Sequence, residues 1–259
     1  MLDLSIALVQ TNVVWEDKPT NLNHFTQILK SITNAHLVVL PEMFNTGFSM
    51  NPSKNGESMD GETIQWMKQT AKQHNFELAG SLIIEEQGHY YNRFVKVSPD
   101  GAIEHYDKRH AFSMAGEDTV FTKGSQRVIW ETNGWKICPQ VCYDLRFPVW
   151  SRNDSQYDIL LYTANWPTKR INHWLALAKA RAIENQCYVA AVNRIGVDGE
   201  GIEYNGNSII CDFDGKSLAH HVDDDMVLMT TLSYSDLQDR RKQFDVLSDR
   251  DDFRINPTS

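Results

Sequence analysis

Apolar residues recur along this chain in two rhythms. Short runs, continuous or alternating and bounded by Gly, Pro or Asp, fall at LSIALVQ, HLVVL, FELAGSLII, FVKVS, RVIWE, WKICPQVC, DILLYTA, YVAAVN, NSIICDF and VLMTTL. Their lengths and boundaries predict β-strands. Helical spacing predicts helices over residues 21–32, 62–74, 172–186 and 235–244. In the second, Ile64, Met67 and Ala71 share a face; in the third, Trp174, Leu175, Ala178 and Ala182 do, and Arg181 and Glu184 are spaced to pair. Helices and strands alternate early, while VSPDGAIE and ETNGWKI read as hairpins in the middle. The pattern predicts an α/β fold with a mixed sheet covered by helices.

No repeat, low-complexity tract or flexible linker divides the 259 residues, so one domain is expected over 1–259. Residues 245–259, DVLSDRDDFRINPTS, are charged and poor in apolar groups, and read as a C-terminal arm that packs extended or frays. A chain of this length buries about three quarters of its unfolded surface, enough for a core and a closed pocket. No stretch of about eighteen apolar residues is present, and the N-terminus lacks a basic leader, so neither membrane nor secretion is expected and the cytoplasm is. With 34 acidic against 25 basic residues the formal charge is -9, and no basic run is interleaved with aromatics, which argues against nucleic acid. The four cysteines, Cys138, Cys142, Cys187 and Cys211, are expected as thiols.

Three segments carry candidate chemistry. HLVVL reads as a strand covered on both faces, and Pro41 and Glu42 follow it at once, which delivers a carboxylate to a strand's carboxyl end. The bland reading of Glu42 is a surface cap. Lys108 lies in HYDKRH, a dense titratable cluster whose bland reading is a solvated loop. His105 and His110 have no Cys or carboxylate at zinc spacing, so no metal is expected there. Nor is one expected at the HHVDDDM stretch, which reads as a solvated turn. In WKICPQVCYDLRFPVW, Cys142 falls where a strand gives way to a turn. Free backbone N–H groups there favour a thiolate, and an ammonium in a closed site would lower the thiol pKa further. A buried structural cysteine is the alternative, and a Cys-His pair is not excluded by counting, since nine His are present.

LPEMF, YDKRH and VCYDLRFP, in this order, together with ALVQ near the start, ANW, ARAIENQCYVAAVNR and GNSIICDFDG, resemble the nitrilase, or carbon-nitrogen hydrolase, superfamily over nearly the whole chain. The resemblance is closest to its ω-amidase branch, which hydrolyses the terminal amide of 2-oxo acid amides such as 2-oxoglutaramate. It implies an αββα sandwich, often a homodimer, that needs no cofactor or metal and acts on a small-molecule amide and water. It implies Glu42 as general base, Lys108 as the cation at the oxyanion, Cys142 as nucleophile and Glu117 as an additional acid, with Asp118 beside it as the alternative. Val149 departs from the Glu that many relatives carry there.

A substrate carboxylate would need a cation or N–H donors, so Arg146 is a candidate anchor, with a structural ion pair as its alternative. Tyr143 or its neighbour is the candidate source of a backbone N–H for the oxyanion, and Phe44, Asn165 and Trp166 are candidate pocket walls, with a core role open for the aromatics. Two other readings compete with the 2-oxo acid amide: an N-carbamoyl amine or a nitrile at the same site, and a non-catalytic binding protein on this fold.

Overall fold

In the first strand Leu4, Ile6 and Leu8 join one buried cluster while Ala7 and Val9 join another, as period-two alternation requires. The computed structural model describes residues 2–255. In chain order the elements are β1 (Leu4–Gln10), α1 (Lys18–Leu29), β2 (Leu37–Val39), α2 (Pro52–Asn55), α3 (Glu62–His74), β3 (Glu77–Glu86), β4 (His89–Val97), β5 (Ile103–Asp107), α4 (Glu117–Val120), β6 (Trp130–Thr132), β7 (Trp135–Val141), α5 (Pro148–Ser151), β8 (Ile159–Ala164), α6 (Ile171–Asn185), β9 (Tyr188–Asn193), β10 (Ile195–Val197), β11 (Glu203–Cys211), β12 (Ser217–Val222), β13 (Met226–Leu232) and α7 (Tyr234–Gln243).

The strands form two sheets. One has the order β13-β1-β2-β3-β4-β5, and the other β10-β11-β9-β8-β7-β6 with β12 paired to β11. Each is mixed: β1, β2 and β3 run parallel, as do β7, β8 and β9, and the flanking pairs are antiparallel. The sheets face one another across a shared core that includes Ile6, Val39, Phe94, Val141, Leu161 and Val192. Phe25, Leu29, Ile64 and Met67 of α1 and α3 cover the outer face of the first sheet. Trp174, Ala178 and Ala182 of α6 cover that of the second. The layers are therefore αββα. Burial on both faces explains why the runs HLVVL and DILLYTA show no polar alternation.

Local chemistry sets the boundaries. Asp17 caps α1 by accepting from the Thr20 N–H at 3.1 Å, and Pro19 sits in its first turn, so the helix begins earlier than residue 21. Asn133 and Gly134, with φ of 50° and 85°, form the two-residue turn joining β6 to β7. The strand read from RVIWE starts only at Trp130, and FVKVS is the end of a longer strand that starts at His89. His220 and His221 lie in β12 rather than in a turn, because β11 offers a ladder to pair with; the turn is confined to the Asp residues after it. Residues 251–255 of the arm are exposed and form neither helix nor strand, and 256–259 lie outside the described residues.

Candidate active site

Four strand ends converge on one rim. Glu42 follows β2, Lys108 follows β5, Cys142 follows β7 and Asn165 follows β8. The Thr163 hydroxyl of the second sheet donates to the Leu40 carbonyl of the first at 2.8 Å, which locks the two sheets together beside the site. Glu42 is fully buried, and its Oε2 accepts from the Asn165 backbone N–H at 2.8 Å. The Asn165 side-chain amide donates to the Glu42 carbonyl at 2.7 Å. The Asn165 carbonyl faces the Cys142 thiol, Sγ to O 3.8 Å. One peptide neighbourhood thus holds both the carboxylate and the sulfur.

Lys108 Nζ lies 2.9 Å from Glu42 Oε1 and 2.9 Å from each oxygen of Glu117. Glu117 is itself fully buried and accepts from the Phe112 N–H, whereas Asp118 is exposed, which places Glu117 rather than its neighbour against the ammonium. The Asn92 amide donates to Glu42 at 2.8 Å and to Glu117 at 3.1 Å. Cys142 opens a 3-10 turn, Cys142–Arg146, with φ of 44°. A non-glycine residue there costs about 1–2 kcal/mol, and the turn that imposes it is held by Asp144, which accepts from the Val141 N–H at 3.1 Å.

Above these groups opens a cavity of about 570 Å³, the size range of small-ligand sites. Lys108, Cys142 and Asn165 lie in its wall, with Tyr143, Trp166, Phe112 and Arg146 among the others. Among the described residues no group of three or more His, Cys, Asp or Glu is placed to hold a metal, and no helix is long and apolar enough to cross a membrane.

The carbon-nitrogen hydrolase family profile matches residues 5–242. The chain belongs to the carbon-nitrogen hydrolase family. It is 44% identical over 259 residues to the omega-amidase YafV of Escherichia coli K12, a match covering 98% of this chain and all of the relative. It is 33% identical to the 2-oxoglutaramate amidase of Bacillus subtilis, over 86% of this chain and 87% of that one. A crystal structure of a CN-hydrolase superfamily protein from Xanthomonas campestris, with an arsenic adduct in its active site, superposes with a TM-score of 0.96 at 39% identity, covering 99% and 100% of the two chains.

In this hydrolase, charge is distributed differently from the sequence-based expectation for the thiol. Burial acts first to raise the Cys142 pKa well above the ordinary thiol range, and Glu42 adds to it; Lys108 opposes without prevailing. The protonated thiol is the favoured form, because a thiolate there would be buried and would lie beside the acidic side chains of Glu42 and Glu117. Burial also disfavours the Lys108 charge, but Glu117 and then Glu42 outweigh it and raise its pKa. Burial raises the Glu117 pKa, against the pull of Lys108.

The remaining candidates separate cleanly. Phe44, expected as a pocket wall, does not line the cavity: it is fully buried against Phe25, Trp66 and Gly80, because its position past the Glu42 turn faces the α1 and α3 layer. Arg146 forms no ion pair, since among the described residues no carboxylate lies within 4.0 Å of it. Its guanidinium lies 4.6 Å from the Trp166 ring centre and donates to His173 Nδ1 at 3.3 Å. Asn92 and Asp144 join the site without having been assigned a role by the sequence, Asp144 from within VCYDLRFP itself, and Arg170 joins it from outside the motifs. A polar Asn in the apolar strand HYYNRFVKV and an Asp in the turn after the cysteine are the signals the sequence offers for the first two.

Proposed function

We propose that this hydrolase cleaves the terminal amide of small 2-oxo acid amides, of the 2-oxoglutaramate type, to the acid and ammonia. The observation that carries the chemistry is the shared hold of Asn165 on Glu42 and Cys142, with Lys108 Nζ 2.9 Å from the same carboxylate. The naming of the YafV and Bacillus relatives supports the substrate class.

Because the thiol rests protonated, attack requires a proton acceptor at hand. Cys142 Sγ bonds to the amide carbon while Glu42 takes its proton and passes it to the departing nitrogen, which leaves as ammonia. Water then attacks the thioester carbon. Glu42 takes the water's proton, and the C–S bond breaks as the sulfur is reprotonated. Lys108 and the backbone N–H of Tyr143 hold the oxyanion in both halves, where one such donor is worth about 3 kcal/mol. Arg146, at the cavity wall and without an ion pair among the described residues, anchors the substrate carboxylate. Cofactor and metal have no part in this scheme.

The test is ammonia release from 2-oxoglutaramate by the wild type and by Cys142→Ala, with glutamine, an N-carbamoyl amino acid and a simple nitrile alongside. Release from the 2-oxo amide that vanishes in the variant is the expected result. Release that survives in Cys142→Ala removes the cysteine from the chemistry, and preference for the N-carbamoyl compound or the nitrile replaces the substrate class.

A further inference from the structure

Arg146 is not the only cation in the cavity wall without a carboxylate partner among the described residues. Arg170, two residues past Thr168 at the entry to α6, lines the same cavity, and among the described residues no carboxylate forms an ion pair with it. Its guanidinium lies 5.3 Å from the centre of the Phe112 ring, as that of Arg146 lies 4.6 Å from Trp166. Phe112 is tied by its N–H to Glu117, and Trp166 follows Asn165 directly. Each guanidinium is therefore oriented by an aromatic plane whose backbone belongs to the site. Burial lowers the Arg146 pKa, and the charge of Arg170 lowers it further, so the two cations share a field.

Two like charges facing one space repel unless an anion sits between them. The acids of the cavity do not fill that role. Asp198 spends its carboxylate on the Tyr204 hydroxyl at 2.7 Å and on the Glu200 and Ile202 N–H groups at 2.9 Å, and Glu200 is exposed.

We infer that Arg146 and Arg170 form a two-guanidinium clamp for the carboxylate and adjacent 2-oxo oxygen of the substrate, and that this clamp excludes 2-amino acid amides. This deepens the function proposed above and rests on it for the 2-oxo acid class. Guanidinium forks match the two acceptors of a planar 2-oxo acid. An α-ammonium in the same place would meet two cations, so discrimination comes from repulsion as well as from fit.

The experiment measures how 2-oxoglutarate and glutamate protect Cys142 from alkylation by iodoacetamide, in the wild type and in Arg170→Gln and Arg170→Lys. Ammonia release from 2-oxoglutaramate is followed in parallel. In the wild type 2-oxoglutarate should half-protect at a concentration about tenfold or more below that of glutamate. Arg170→Gln should raise the 2-oxoglutarate value about tenfold or more, as loss of a charge-assisted hydrogen bond does, and close the gap to glutamate. Arg170→Lys should restore part of it. A merely structural arginine would shift both ligands together. Equal protection by the two ligands in the wild type, no protection by 2-oxoglutarate, or an unchanged gap in Arg170→Gln overturns the clamp. If the gap behaves as expected while the wild type releases no ammonia from the 2-oxo amide, the clamp stands and the proposed substrate falls. Turnover of the 2-oxo amide with an unchanged gap keeps the substrate and removes the clamp.

Discussion

The fully buried carboxylate of Asp144 accepts the Tyr106 hydroxyl at 2.8 Å, and so joins the turn that begins at Cys142 to the strand that ends just before Lys108. Its other oxygen accepts from the His110 N–H at 2.9 Å and meets the ring Nδ1 at 2.8 Å, while Tyr106 accepts in turn from Trp150 and from the Arg109 N–H. Cysteine and lysine are thereby referenced to one buried anion. Asp144→Asn should turn an amide N–H toward one of these donors and cost about 1–3 kcal/mol of stability. Denaturant unfolding reads that loss. A fall in kcat larger than any rise in KM should accompany it, and unchanged kcat would show that the turn holds without Asp144.

A resting thiol has a kinetic signature. Since burial and then Glu42 raise the Cys142 pKa, its alkylation rate should keep climbing through the ordinary thiol range near 8.5 rather than level off at neutral pH. Glu42→Gln removes the proton acceptor and should lower kcat by about 10²–10⁴-fold. A plateau below neutrality would instead mark a preformed thiolate.

Stability should decline on the alkaline side. Burial raises the Cys142 thiol and pushes the Cys138 thiol up to about 12, and the carboxylates beside Lys108 raise its pKa despite burial. In each case the native state keeps a proton that the unfolded chain gives up first. The stabilisation is whole below the unfolded pKa and drains as pH rises toward the folded one. For the thiols that window opens at about 8.5. Glu117, also raised, has the same sign and begins its loss at about pH 4.3. Urea unfolding from pH 7.5 to 10 checks this, and a flat or rising profile contradicts it.

Gly80 leaves room for Phe44. A Cβ there would stand 2.6 Å from Phe44 Cδ1 and 3.1 Å from Leu40 Cβ. Gly80→Ala should therefore overpack the layer beneath Glu42 and cost about 1–3 kcal/mol. Displacement of Phe44 would also disturb the backbone two residues from Glu42, so kcat should fall while the Cys142 alkylation profile keeps its shape. Wild-type melting behaviour in this variant would mean that the ring moves freely.

Arg146 gives a prediction distinct from Arg170, since it follows the nucleophile by only four residues. Arg146→Lys keeps the charge but loses the planar fork over Trp166. KM for 2-oxoglutaramate should rise by about tenfold, as one charged hydrogen bond is lost. Full turnover at unchanged KM would free Arg146 from the anchor role.

By itself the sequence determined most of the strands, the principal helices, and the local placement of Glu42 and Cys142 at strand ends, because apolar period and turn residues act over a few neighbours; β12, read as a turn, formed only because β11 offered it a ladder. It also carried the motif order by which family membership is recognised. Tertiary structure decided the rest. That Glu117 and not Asp118 faces Lys108, that Phe44 is core, and that Arg146 lacks an ion pair each depend on contacts between distant segments. The direction of the Cys142 shift is the clearest case. A cysteine at a strand end reads as a thiolate when only its local N–H groups are counted. Desolvation and a carboxylate from the other sheet, 100 positions away in sequence numbering, reverse that sign, and a charge's environment is set in space rather than along the chain.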